Sequence, residues 1–297
     1  MVVPGCHDAS VRPVAAILLA AAAASFYAFS TMLQALEARK APLESALRAR
    51  LLIRLFQKRT WLLGSAVGAV GWGLQAVALS FASITLVQPA LGLGLIVLLL
   101  FSTRLLGETV GRREALGALT VIAGVALLGW AAPSRIDHFT FDGRVGIAVA
   151  GALLVAAPRG LRLLRLGGGL PTSVVSGLGW AWVGLGTALV DRALAHGHLL
   201  EAALWAAGAG LVSWTSLVIG MSALQAWPAS RSFPVTFALE MAAPAALAPI
   251  LTSGGTGPGD GVPFAFALAL ACVGAVILGS SSAVSPLAPV RSVPEPL

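Results

Sequence analysis

Apolar runs, most of them close to twenty residues long, alternate with shorter, more polar connections along this chain. They fall at 13–35, 61–80, 84–102, 115–132, 144–158, 172–190, 203–224, 233–252 and 262–280. A helix needs about 20 apolar residues to cross the hydrocarbon of a bilayer. Lipid offers backbone amides no partner outside a helix or a closed barrel. The pattern therefore predicts an all-α integral membrane protein with about nine transmembrane helices, in one domain over 13–280. The fifth run is short and borrows length from Leu161, Leu163 and Leu164, with Arg159, Arg162 and Arg165 reaching outward. The first opens like the apolar core of a signal peptide. It continues through Phe26-Tyr27-Ala28-Phe29 to Leu33 and has only Arg12 ahead of it, so a retained helix is expected.

The connections carry the charge. Arg39, Lys40, Arg48, Arg50, Arg54, Lys58 and Arg59 crowd the segment 36–60. If the runs alternate in direction, that side also holds Arg104, Arg112, Arg113, Arg159, Arg162, Arg165, Arg231 and Arg291. The other side holds only Arg12, Arg135, Arg144 and Arg192. Basic loops stay in the cytoplasm, so the expected topology is N-terminus out and C-terminus in, in a plasma (inner) membrane. Within 41–58, Leu43, Leu47, Leu51, Leu52, Leu55 and Phe56 recur at near-helical spacing among Glu44, Arg48, Arg50 and Arg54. That spacing predicts an amphipathic helix on the inner membrane surface, within a basic cytoplasmic amphipathic loop over 36–60. A solvated connector and a gating or lipid-sensing element are both compatible with it. The tail 281–297 is rich in Ser, Pro and Val and is expected to be disordered and cytoplasmic.

Composition narrows the function classes. Apolar residues make up 58% of the 297, charged residues 10%, and mean hydropathy is +0.90. A soluble enzyme or a disordered chain does not look like this. The net charge of +7 would hint at nucleic acid in a soluble protein. Here it reports topology, and the expected surroundings are the lipid bilayer, with no nucleic-acid partner. Cys6 and Cys272 lie at opposite ends and give neither metal-ligand spacing nor a disulfide framework.

The chain also echoes itself. Ala78-Leu79-Ser80-Phe81 through Val87-Gln88-Pro89 has a counterpart 145 residues on, Ala223-Leu224-Gln225-Ala226 through Ser232-Phe233-Pro234. In both, one run ends, a tight turn follows and the next run opens near a proline. The second to fourth runs match the seventh to ninth. By the loop charges the two sets point in opposite directions, an inverted repeat of four plus five spans (13–132 and 144–280) of the kind carriers use.

Several segments resemble the drug/metabolite transporter superfamily with its EamA-like repeat. They are Trp61-Leu62-Leu63-Gly64, Gln75-Ala76-Val77-Ala78-Leu79, Leu86-Val87-Gln88-Pro89, Leu106-Gly107-Glu108, Arg112-Arg113-Glu114, Leu116-Gly117-Ala118-Leu119 and Ile122 to Leu128. The Leu-Val-Gln-Pro form and a first half with one span fewer are more similar to the NIPA-like branch, which is associated with magnesium transport. In the second half, Pro228-Ala229-Ser230 and Leu239-Glu240-Met241-Ala242-Ala243-Pro244 are similar to the family's penultimate helix. No Gly-Glu follows that helix; 253–262 reads Ser-Gly-Gly-Thr-Gly-Pro-Gly-Asp-Gly-Val instead, a departure from the pattern.

No catalytic constellation, nucleotide fingerprint or cofactor motif is present, so neither enzyme activity nor a cofactor is expected. His196 and His198, near Asp191 and Glu201, read as a solvated loop or a metal site, and the metal assignment stays open. Glu240 is the one charged side chain deep inside a run. A charge there costs at least about 2.5 kcal/mol if it faces lipid, so it should face the bundle. Thr236 lies one turn back, and Pro244 removes the amide that would bond the Glu240 carbonyl. The candidate substrate or ion-binding residues are Glu240, Thr236, Gln75, Gln88, Trp72 and Trp214, with helix kinks expected at Pro244, Pro89 and Pro234. Gln75 and Gln88 near run ends, and Trp72 and Trp214 well inside runs, are equally readable as packing.

The expected function is a secondary transporter for a small metabolite or cation, with a magnesium permease and a non-transporting scaffold or subunit as alternatives. A homodimer is one oligomeric state open to it.

Overall fold

The computed structural model describes residues 8–81, 84–108, 110–131, 139–251 and 261–280. These residues fold into ten α-helices with one short 3₁₀ turn and no β-strand among them: α1 Asp8–Lys40, α2 Ala49–Leu55, α3 Arg59–Phe81, α4 Ile84–Leu105, α5 Arg112–Ala131, α6 Phe141–Leu163, α7 Gly169–Ala195, α8 Leu199–Ala226, α9 Ala229–Leu251 and α10 Gly261–Ser280. Five stretches are long and apolar enough to cross a membrane: Val14–Lys40, Arg59–Ala78, Phe141–Leu163, Gly169–Ala195 and Leu199–Ala226. The chain is therefore a multi-pass membrane protein. The expected tail disorder falls on 281–297, outside the described residues.

Large side chains cover the outside of the bundle, where Leu153, Leu204, Phe266 and Val276 are each more than 60% exposed. Small residues line the contacts between helices, because helices immersed in lipid associate through close backbone packing. Gly64, Gly68 and Gly71 of α3 lie against Leu33, Ser30 and Ala23 of α1, so these two helices run antiparallel. Gly94 of α4 meets Ala24 of α1, and Leu98 packs on Ala28 and Met32, a parallel pair. The second group repeats the arrangement. Ser176 and Gly179 of α7 meet Ser216 of α8, and Gly208 meets Trp182, in antiparallel order. Ser173 and Gly177 of α7 meet Ser232 and Thr236 of α9, in parallel order. The groups join along α5 and α10, where Gly117 faces Leu278 and Gly124 faces Ala271, again antiparallel. A Cβ at Gly124 would stand 2.5 Å from the Ala271 amide nitrogen, so that contact requires glycine.

The segment after α1 takes a shape the leucine spacing does not predict. Only Ala49–Leu55 is α-helical, preceded by the 3₁₀ turn Leu43–Ser45. Leu51, Leu52 and Leu55 are buried against Ala35 and Ala38 of α1, Trp61 of α3 and Val218, Met221 and Leu224 of α8. Leu47 packs on Leu161 and Ile219. The apolar side of this segment is thus covered by protein, while Arg48, Arg50 and Arg54 stay exposed. The α6 helix continues through Pro158 to Leu163, taking in Leu161 and Leu163 and ending on Leu164 as its C-cap.

Candidate functional site

The polar residues of α1 fall on one stripe. Tyr27, Ser30, Gln34 and Glu37 are spaced three or four apart, which stacks them on a single helix face. Ser30 and Glu37 are buried. Gln34 Nε2 donates to Ser30 Oγ at 3.3 Å. At the deep end of the stripe, Tyr27 Oη donates to Gln75 Oε1 of α3 at 2.7 Å. Across from them, Phe233 of α9 packs on Ala28, Met32 and Leu98, which turns this side of α9 toward α1 and α4. Phe237 stacks on Phe233 with ring centroids 6.3 Å apart. Glu240 follows about one turn later, and its carboxylate lies within electrostatic range of the Tyr27 hydroxyl. Glu240 has no hydrogen-bonding partner among the described residues. The bonded Tyr27–Gln75 pair thus joins α1 to α3, with the Glu240 carboxylate of α9 within electrostatic range of the phenol.

The structure separates the other candidates from this point. Thr236 Oγ1 donates to the Ser173 carbonyl at 3.2 Å, so its hydroxyl serves the α7–α9 contact rather than Glu240. Trp72 is 69% exposed on α3 and does not belong to the Tyr27–Gln75 group. Trp214 stacks on Phe56 with centroids 6.1 Å apart, and Phe56 in turn meets Trp61 edge-on at 4.7 Å. That aromatic cluster fastens the 49–56 segment to α8. Depth along a helix fixes the height of a ring and not the direction in which it points. The side chains of Gln88 and Pro89 lie outside the described residues. The α9 helix stays helical through Pro234 and Pro244. Tyr27 is the partner that sequence reasoning passed over, although its three- and four-residue spacing from Ser30 and Gln34 was visible.

A second polar group lies at the end where α1 and α4 finish and α5 and α9 begin. Gly107 adopts φ +63, and this left-handed turn brings the Glu108 amide onto the Ser102 carbonyl at 3.1 Å. Glu108 is thereby aimed at the start of α9. Its carboxylate accepts from the backbone amides of Ala229 at 2.7 Å and Ser230 at 2.9 Å. It also pairs with Arg39 of α1. The first turn of a helix has unpaired amides and a partial positive charge, so a carboxylate there is doubly favoured. In the first turn of α5, Glu114 accepts from Arg231 of α9 at 2.7 Å and from the Gly111 amide at 2.9 Å. The side chains of Glu108, Glu114 and Arg231 are 5%, 8% and 4% exposed. Nearby, Gln225 of α8 donates to the Ala41 carbonyl at 3.1 Å, and Ser222 accepts the Leu47 amide at 2.8 Å. These bonds stitch the first group of helices to the second. The Gly-Glu pair at 107–108 and the lone Arg231 beside Pro228 were the available signals.

At the opposite end of α7, Arg144, Arg192, His196, His198 and Glu201 line a cavity of about 170 Å³. Arg144 pairs with Glu201 at 2.8 Å, and His198 Nδ1 lies 3.3 Å from the same carboxylate. No group of three or more His, Cys, Asp or Glu among the described residues is arranged to hold a metal ion.

No family model matches the chain, and no solved structure matches it. An uncharacterised protein of Corynebacterium glutamicum is 32% identical over 149 residues, which is 48% of this chain and 52% of that protein. The chain spans about half the length of the curated relative it matches.

Proposed function

We propose that the chain is a secondary transporter of the drug/metabolite type, carrying a small cationic solute across a plasma membrane. The observation that carries this reading is Glu240, a carboxylate on α9 with no hydrogen-bonding partner among the described residues, within electrostatic range of the Tyr27 hydroxyl that bonds Gln75. An isolated carboxylate is expensive inside a bilayer and marks a substrate or ion pathway. One carboxylate with a phenol and an amide suits a singly charged amine or a proton. Mg²⁺, which prefers six oxygens and gives up its waters reluctantly, is suited less well. The repeated packing order supports an inverted repeat. α1 lies between α3 and α4, α7 lies between α8 and α9, and α5 runs antiparallel to α10. In this reading α1 and α3 to α10 make nine spans, with the N-terminus out and the stitched, arginine-rich end in the cytoplasm.

The test starts with purified protein in detergent, screened for thermal stabilisation by inorganic cations, amines, amino acids and nucleotides. A ligand that binds only the folded state raises its stability. Amines or monovalent cations are expected to stabilise, and the stabilising solute is expected to enter reconstituted vesicles faster than it enters protein-free ones. Stabilisation by none of these solutes, or a stabilising solute that the vesicles do not take up, overturns the proposal.

A further inference from the structure

We propose that the outer face of the segment 43–59 is a docking surface for anionic phospholipid in the leaflet at the arginine-rich end. The inference uses the membrane-embedded fold and does not rest on the transporter reading. The segment has two sides. Leu47, Leu51, Leu52 and Leu55 are buried against the bundle, and Ser222 of α8 holds the Leu47 amide at 2.8 Å. The leucines therefore anchor the segment, and a second, separate surface is left on the outside. That outer surface divides into two edges. Ile53 and Phe56, three residues apart, share one edge, and Arg50 and Arg54, four apart, share the other. Ile53 is 54% exposed and Phe56 44%. Phe56 stacks on Trp214, twelve residues before the end of α8 at Ala226. The apolar edge thus continues the lipid-facing surface of α8, where Leu204 and Leu211 are also exposed.

The other edge lacks counter-charge. Arg48, Arg50, Arg54, Lys58 and Arg59 are all exposed, and none pairs with a carboxylate among the described residues. Glu44 is the only acidic residue between 41 and 59, and it makes no ion pair among the described residues. Like charges one turn apart on a helix repel, so Arg50 and Arg54 are relieved when an anion lies against both. A guanidinium meets phosphate oxygens through short, directional N–H bonds. Apolar side chains beside unpaired cations are what a helix lying in the interface offers to lipid, and a small water-soluble anion would make no use of Ile53 and Phe56. The occupant that satisfies both edges is a phospholipid of net negative charge, with acyl chain against Ile53 and Phe56 and phosphate against Arg50 and Arg54. Bound there, it braces the segment where it joins α1 and α3 to α8.

The test measures which lipid collects at this face. Ile53→Cys, in a chain carrying Cys6→Ser and Cys272→Ser, is labelled with a small maleimide fluorophore. The protein is reconstituted in phosphatidylcholine holding a fixed small fraction of brominated lipid. Bromine quenches on contact, so quenching by brominated phosphatidylglycerol relative to brominated phosphatidylcholine reads the local preference. That preference is expected to be at least about fivefold, an effect of the order that one surface cation has on an anionic headgroup. It is expected to vanish with Arg50→Gln and Arg54→Gln together, and to survive with Arg50→Lys and Arg54→Lys. It should also survive Arg112→Gln with Arg113→Gln, which removes two exposed cations at the start of α5. The same fluorophore at Leu204→Cys, on the lipid-facing side of α8 away from the segment, is expected to show no preference. No preference at position 53, no change with the glutamines, or an equal loss with Arg50→Lys and Arg54→Lys or with the α5 variant overturns the site. A preference that inorganic phosphate erases at constant ionic strength would make the ligand a free anion and overturn it as well. Quenching by neither lipid would take the face out of the bilayer, leave it to a soluble acidic partner, and overturn the proposal.

Discussion

Where α1 and α4 finish and α9 begins, Glu108, Glu114 and Arg231 are each less than a tenth exposed, and their bonds cross from one helix group to the other. At the opposite end, Arg144 and Glu201 are each about a third exposed and join α6 to α8 within one group. Both ends contain ion pairs, yet among the described residues the charged groups of the first end cross between the groups and the Arg144–Glu201 pair does not. Burial decides what such a pair does. An exposed pair is screened by water and contributes little. A buried pair can be neutral overall against an apolar replacement, but removing one member strands a charge. The stitched end is therefore a place where small chemical changes have large structural consequences.

That contrast is open to direct attack. The largest effect is expected for Arg231→Ala, which leaves Glu114 beside an empty space in the bundle. It should cost about 3–5 kcal/mol, read as a drop in thermal stability in detergent. A loss as small as that at Arg144 would erase the difference between the ends. Next comes Gly124→Ala, which drives a methyl group into the Ala271 backbone where the groups join. Overpacking of this kind costs about 1–3 kcal/mol, and the same melting curves would show it. The smallest effect is expected for Arg144→Ala, about 0–1 kcal/mol; a larger loss would mean the opposite end is built as tightly as the first.

The helical, membrane-embedded character of the chain was legible because twenty-residue apolar runs allow little else. The glycines of α3 and α4 permit close packing by their spacing, and the structure shows that Gly68, Gly71 and Gly94 meet Ser30, Ala23 and Ala24 of α1 while nothing lies near Gly73. The stitched end was hidden because Arg39, Arg231 and their neighbours were counted as loop charges. Such a count weighs every arginine alike, whether it faces water or a buried carboxylate. Glu108 becomes a cap for α9 only through the left-handed turn at Gly107, a contact spanning 121 residues to Ala229 that local pattern does not encode. Trp72 lies exposed on α3 and Trp214 stacks on Phe56, placements that depth within a run leaves open because it fixes height and not direction around the helix. Glu240 needed no such direction: its cost in lipid argued for the interior whatever its neighbours.

The account stands on Glu240 more than on any other residue. The most direct measurement is uptake of the stabilising solute into vesicles holding equal amounts of wild-type protein and Glu240→Gln. Glutamine keeps the shape and hydrogen-bonding capacity and removes the charge. Uptake is predicted to fall at least tenfold while the melting temperature stays within a few degrees of wild type. Uptake at the wild-type rate would contradict the account and reduce Glu240 to a packing residue.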